Sequence, residues 1–251
     1  MALAGKVALV TGSSRKMGKA IALAYAKAGA DIVLNGLSNR QALDQTAEEV
    51  RATGARVVAC LADISDRSAV DRMVAQANAE LGPVDILVNC TAPQPWNPFD
   101  KIPADEWNRV LSVVLNGAFN TTQAVLGGML AQGRGTILNI IGVAGQTGRP
   151  DRAAVITAKT GLVGMTRALA IEYADRGITA NAVSPAMIAR ERDPNTPPRT
   201  AEGTTDRFRL DIPVGRQGRQ DEVAALCVFL SSEDARFITG QVYAINGGVL
   251  I

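Results

Sequence analysis

Seven short, almost unbroken apolar runs, at positions 7–10, 31–35, 57–61, 86–89, 136–141, 179–183 and 242–245, alternate with longer stretches in which apolar residues return every three or four positions. Strands that read as continuous apolar runs are buried on both faces, and segments of helical period supply the cover. The pattern therefore calls for an α/β fold: a doubly wound parallel sheet of seven strands with helices on both faces. After the third run, Val70, Met73, Val74, Ala77 and Leu81 keep helical spacing until Gly82 and Pro83 stop it. A second helix is expected after Ser38 as its N-cap, burying Leu43, Ala47 and Val50 and ending at Gly54. Longer helices over 104–132 and 153–175 are expected to pack the centre of the sheet.

No internal repeat or linker interrupts this alternation, so residues 1–251 read as one domain. The stretch 190–211, with Pro194, Pro197 and Pro198 among threonines and mixed charges, suits a mobile loop over a site, or else a plain surface insertion. The formal charge of +2, with both signs interspersed, offers no electrostatic footprint for nucleic acid or anionic membrane. No run reaches the roughly 18 consecutive apolar residues of a spanning helix, and the first six residues are too short and mildly basic for a signal peptide. A soluble cytoplasmic protein is expected.

Histidine is absent, which removes Ser-His-Asp triads, Cys-His dyads and most zinc sites together. Cys60, Cys90 and Cys227 have no metal-ligand spacing and are too few for a disulfide framework, so they read as small core residues.

The first strand runs directly into Thr11-Gly12-Ser13-Ser14-Arg15-Lys16-Met17-Gly18 and then a helix, the setting in which a glycine turn holds a phosphate. With Asp85-Ile86-Leu87-Val88-Asn89 downstream, the chain resembles the short-chain dehydrogenase/reductase family. Further matching stretches are Asn116-Gly117-Ala118-Phe119, Val143-Ala144-Gly145, Lys159-Thr160-Gly161-Leu162, Asn181-Ala182-Val183-Ser184-Pro185, Ile212-Pro213-Val214-Gly215-Arg216 and Asn246-Gly247-Gly248. The resemblance covers essentially the whole chain. It implies a Rossmann-type domain that binds NAD or NADP, moves hydride between nicotinamide and a small carbonyl or hydroxyl compound, and assembles as a homotetramer or homodimer. The cofactor is expected on Gly12, Ser14, Arg15, Met17, Gly18, Asp63, Ile64, Asn89, Lys159 and Ile188, with Lys159 also catalytic.

The chain departs from the family pattern at several of these points. Four residues before Lys159, one helical turn away, the family's tyrosine slot holds Val155, which has no proton to give. The serine slot is Gly142 and the asparagine slot, seven residues after Trp107, is Val114. Asn116 lies two positions on, rotated by about 200° in a regular helix, and should face elsewhere. The middle glycine of the phosphate turn is Lys16, a side chain that must project outward, hold a phosphate itself, or compete with the dinucleotide. Gly36 stands where an acidic residue would choose NAD, and Arg15 matches a position that meets the 2′-phosphate in NADP-using relatives, while Asn35-Gly36-Leu37 resembles NAD-dependent members.

Three readings follow. One is an atypical oxidoreductase with displaced acid-base groups. Another is a non-redox enzyme reusing the pocket through a desolvated Lys159. The third is a non-catalytic, ligand-responsive or partner subunit of a family oligomer. Gln94, Trp96 and Asn97 after the fourth strand, and Gln146, Thr147, Asp151 and Arg152 after the fifth, are the nearest candidates for substrate-side chemistry.

Overall fold

The computed structural model describes residues 1–91, 93–189 and 212–250, so the loop expected at 190–211 lies outside the described residues. The apolar runs form strands β1 (Val7–Val10), β2 (Asp31–Gly36), β3 (Val57–Leu61), β4 (Ile86–Asn89), β5 (Gly135–Ile140), β6 (Ile178–Pro185) and β7 (Val242–Ile245). They build one sheet in the order β3-β2-β1-β4-β5-β6-β7, with every neighbouring pair parallel. The order reverses between β1 and β4, and beyond the carboxyl ends of these two strands such sheets open their binding crevice. This is the expected Rossmann-type architecture.

Successive residues along each strand point to opposite faces, and the two cores show it. Ala8 and Val10 pack with Ile21, Tyr25, Leu43, Val50, Val223 and Cys227 under helices α1 (Lys16–Lys27), α2 (Arg40–Arg51) and α7 (Gln220–Leu230). Val7 and Leu9 pack on the other face with Val70, Met73, Val125 and Met129 under α3 (Arg67–Glu80) and α5 (Gly117–Gln132). The buried Tyr25 ties the ends of the chain together, since its hydroxyl donates to the Cys227 carbonyl at 3.1 Å and lies 2.8 Å from Ser231 Oγ. Cys60 and Cys227 are buried free thiols, as small core residues should be.

The N-cap of α2 is Asn39 rather than Ser38. Its side-chain oxygen accepts from the Ala42 amide at 2.9 Å, so the helix starts one residue later than expected. The 104–132 stretch is a continuous rod but not a uniform one. A π-helical turn, Ser112–Asn116, joins α4 (Ala104–Leu111) to α5, with Val113 and Val114 turned inward and Asn116 exposed. Helix α6 (Ala153–Tyr173) with the turn after it, Ala153–Arg176, is long and apolar enough to span a membrane. It is instead a core helix, packed on β6 and α4 with Lys159 on its buried side.

Candidate functional site

The glycine turn after β1 keeps its shape through close backbone approach. At Gly18 an added Cβ would stand 2.4 Å from the Gly12 carbonyl oxygen, so the first turn of α1 can press against the loop only without a side chain. Gly12, at φ +65°, is held by Asn35, whose Oδ1 accepts its amide at 3.3 Å, while the Ser13 amide donates to the Asn35 carbonyl at 2.9 Å. No acceptor among the described residues meets the amides of Ser14, Arg15 and Met17, which open the helix. Lys16 is exposed and sits at φ +53°, a left-handed conformation that costs an ordinary residue about 1–2 kcal/mol. The turn thus retains a glycine-like backbone under a lysine. Thr91 Oγ1, buried beside Gly12, has no hydrogen-bond partner among the described residues.

At the end of β3, Asp63 Oδ1 accepts from the Ser65 amide and hydroxyl, at 2.9 and 2.6 Å, and Oδ2 from Arg109 at 2.9 Å. Partial burial pushes this carboxyl up, but the Ser65 and Arg109 bonds outweigh it and hold the group below its ordinary value. Ile64 is buried where a side chain on Gly117 would collide with it, 2.7 Å from its Cγ1. Ile188, past β6, forms an isolated parallel bridge with Gly218.

The Asn89 side chain is spent within the fold. It accepts from Thr121 Oγ1 of α5 at 2.8 Å and donates to Asn139 Oδ1 of β5 at 2.9 Å. Asn139 in turn donates to Thr166 Oγ1 of α6 at 2.9 Å. This buried relay spans two helices through two strands and satisfies every member. Asn139, Thr121 and Thr166 were not singled out in the sequence, although asparagines on adjacent apolar strands are the kind of buried amide that demands partners.

The Lys159 amine, 4% exposed, donates to the Ile140 carbonyl at 2.5 Å. Burial brings its pKa down from 10.5 to about 8, against a smaller opposing effect of the Cys90 thiol. Burial in turn pushes Cys90 up to about 11. One turn earlier, Val155 is 1% exposed and packs in one apolar cluster with Val110, Val114, Ala118, Ile141 and Leu162. Gly142 stands at φ +65°, ψ 178°, a region that only glycine occupies without strain.

The residues expected on the substrate side also meet. Arg152, buried at the N-cap of α6, donates to the Pro95 carbonyl at 2.8 Å and to Gln94 Oε1. Its guanidinium carbon and that of Arg149 lie 4.6 and 4.9 Å from the centroid of the Trp96 ring. The Asn97 amide donates to the Asp151 carbonyl at 3.0 Å, and its side chain to Glu106 at 2.8 and 2.9 Å. Gln146 is exposed, and Thr147 Oγ1 donates to the Val143 carbonyl at 3.2 Å. No cluster of metal-ligating side chains occurs among the described residues.

Residues 12–250 match the family described as enoyl-(acyl carrier protein) reductase. A 3-oxoacyl-[acyl-carrier-protein] reductase FabG of Thermotoga maritima is 34% identical over 251 residues, covering 100% of both chains. The chain belongs to the short-chain dehydrogenase/reductase family. Another FabG, from Staphylococcus aureus (strain N315), is 33% identical over 244 residues, covering 97% of this chain and 98% of its own. The (2S)-[(R)-hydroxy(phenyl)methyl]succinyl-CoA dehydrogenase subunit BbsD of Thauera aromatica is 38% identical over 253 residues, covering 99% of this chain and 98% of its own. As a short-chain dehydrogenase/reductase the chain carries a family oxidoreductase fold, and relatives named for thioester substrates share it end to end.

Proposed function

We propose that this chain is a subunit of a short-chain dehydrogenase that retains the dinucleotide-binding fold but performs no proton transfer itself, the reacting groups being supplied by a catalytic relative. One observation carries the reading: the asparagine and tyrosine slots, Val114 and Val155, are interior members of a single apolar cluster. No hydroxyl or amide faces a substrate oxygen from these positions. The third slot, Gly142, has a backbone conformation unsuited to serine. General acid-base groups contribute about 10²–10⁴-fold in rate, and loss of the tyrosine alone removes that factor.

A nicotinamide dinucleotide fits the residues at the crevice. The open amides at the head of α1, the Cβ-free approach of Gly12 and Gly18, and the unpartnered Thr91 hydroxyl support binding there. Gly12, Ser14, Arg15, Met17 and Gly18 would hold the pyrophosphate, Asp63 and Ile64 the adenine, Lys159 the ribose and Ile188 the nicotinamide, while the expected Asn89 contact is not supported because its side chain is committed to Thr121 and Asn139. When bound, this group supplies the hydride acceptor or donor of the family's chemistry. Gly36, in place of an acidic side chain, admits either NAD or NADP.

The relatives' thioester names and the one named as a subunit support an acyl thioester with a carbonyl or hydroxyl group as the ligand, and assembly as the working state. The outer faces of α5 and α6 suit such assembly, since Phe119 and Ile171 are exposed there and Arg167 is the one charged residue among the exposed α6 positions from Thr157 to Ala168. The test is to purify the chain alone, titrate it with NADH and NADPH by calorimetry, and assay reduction of acetoacetyl-CoA. Dinucleotide binding without turnover, with turnover appearing only when a co-purified catalytic relative is added, is the expected result. Turnover by the isolated chain, or a monodisperse monomer in sedimentation from native extracts, overturns it.

A second reading, a non-redox enzyme built on Lys159, draws on the amine's lowered pKa of about 8. Borohydride trapping of a carbonyl ligand on Lys159 would establish it.

A further inference from the structure

Two buried hydroxyls have no hydrogen-bond partner among the described residues, Thr91 Oγ1 and Thr122 Oγ1. An orphaned buried hydroxyl destabilises the chain that carries it, so each one asks for a reason. Thr122 lies within α5. Thr91 lies at the switch point of the sheet, two residues past the end of β4 and against the glycine turn that follows β1.

Its place there is fixed by the backbone. Thr11 Oγ1 accepts from the Cys90 amide at 2.9 Å and from the Thr91 amide at 3.4 Å, and itself donates to the Val88 carbonyl at 3.4 Å. Residues 90 and 91 are thereby pinned to the first residue of the turn. The Thr91 side chain then comes so close to Gly12 that a Cβ on Gly12 would stand 2.9 Å from its Oγ1. Thr91 keeps part of its surface exposed while its oxygen is covered. Oxygen and methyl hold neighbouring staggered positions on one Cβ, so a single step about χ1 exchanges them. On the same turn the amides of Ser14, Arg15 and Met17 also stand without an acceptor among the described residues. The hydroxyl and the amides lack the same thing, an acceptor oxygen, and a diphosphate supplies several at once.

We propose that Thr91 is a ligand-binding residue whose hydroxyl turns about χ1 to donate to a phosphate oxygen of the diphosphate seated on the Gly12 turn. The inference rests on the reading of the crevice as a dinucleotide site. The free chain carries the cost of the orphaned hydroxyl and the liganded chain does not, so the residue favours the bound state over the free one.

The experiment pairs ligand affinity with the stability of the free chain, because a ligand-binding hydroxyl and a structural one move the two differently. Wild type, Thr91→Val, Thr91→Ala and Thr91→Ser are titrated with NADH and with ADP by calorimetry, and each is melted without ligand. Affinity for both ligands is expected to fall about tenfold or more in Thr91→Val and Thr91→Ala, and to stay within about threefold of wild type in Thr91→Ser. Without ligand, Thr91→Val is expected to melt no lower than wild type, since valine fills a similar volume and leaves no orphan. Should valine crowd Gly12, Thr91→Ala still reads the contact. Thr122→Val removes the other orphan and should leave both affinities unchanged. Unchanged NADH affinity in Thr91→Ala overturns the proposal and leaves the dinucleotide reading standing; a lower melting point in Thr91→Val would then assign the hydroxyl a partner within the fold. A fall for NADH with none for ADP places the contact outside the diphosphate and overturns it, as does a fall in Thr91→Ser as deep as in Thr91→Ala. Failure of wild type to bind either ligand removes the dinucleotide reading and this contact with it.

Discussion

Val155 and Lys159 lie one turn apart on the buried side of α6, yet the lysine amine turns to the Ile140 carbonyl at 2.5 Å while the valine is sealed into the cluster that contains Val114. The two positions are thereby separated in kind, one a polar anchor for β5 and the other part of the core.

Restoring the missing side chains is expected to fail. Val155→Tyr forces a phenol into a filled cluster, at a cost of about 1–3 kcal/mol. Gly142→Ser places a side chain at φ +65°, adding strain of about the same size. Neither variant nor the pair should show turnover with acetoacetyl-CoA, and each should melt several degrees lower in thermal denaturation, at about 2–4 °C per kcal/mol for a chain of this size.

Lys159 should leave a signature in the pH dependence of stability. Its folded pKa, about 8, lies below the ordinary 10.5, so between these values the unfolded chain binds more protons and stability rises with pH. Below pH 8 the full cost of burying the charge is present, about 3 kcal/mol from the difference of the two values. Wild type should therefore gain about 1 kcal/mol more than Lys159→Met between pH 7 and pH 9 in urea unfolding. Equal gains in the two proteins would show that the amine is not desolvated.

The Asn89 to Thr166 relay should prove costly to break. Asn139→Ala leaves the Asn89 amide without its acceptor, at a cost of about 1–3 kcal/mol for the orphaned buried group, while the Thr166 hydroxyl still donates to the Leu162 carbonyl. A fall in the urea midpoint with an unchanged slope is the expected outcome. A variant within about 0.5 kcal/mol of wild type would mean that water replaces the amide.

Lys16→Gly should relieve the left-handed strain at φ +53° by about 1–2 kcal/mol, offset in part by the extra chain freedom of glycine. A small net rise in melting temperature is expected. Calorimetry with NADH on the same variant tests whether the lysine side chain obstructs the crevice: tighter binding than wild type assigns it that effect.

The strands and their order of faces were legible because β-branched runs buried on both sides leave no other reading. The π-helical turn at Ser112–Asn116 was not, since the apolar spacing through Val110, Val113 and Val114 fits a regular helix equally well. Ser38 and Asn39 are both good caps, and only the reach of the Asn39 side chain to the Ala42 amide decides between them. That Val155, Gly142 and Val114 carry no hydroxyl or amide at the positions proposed as the tyrosine, serine and asparagine slots could be read from residue types alone. That Val114 and Val155 share one cluster, and that Gly142 takes a conformation serine resists, depends on tertiary packing and backbone angles that no spacing reveals. The meeting of Arg149 with Trp96 is of the same kind, a contact between two loops 53 positions apart.

The bond from Tyr25 to the Cys227 carbonyl joins groups separated by 202 residues. At the usual pace of synthesis, about 5–20 residues per second, the first helix emerges some 10–40 s before the segment that covers its tyrosine. During that interval the phenol and the apolar side of α1 have no native cover from α7. A nascent chain stalled before residue 220 should accordingly be a better client for chaperones than one stalled after residue 240, even though six of the seven strands have been made in both.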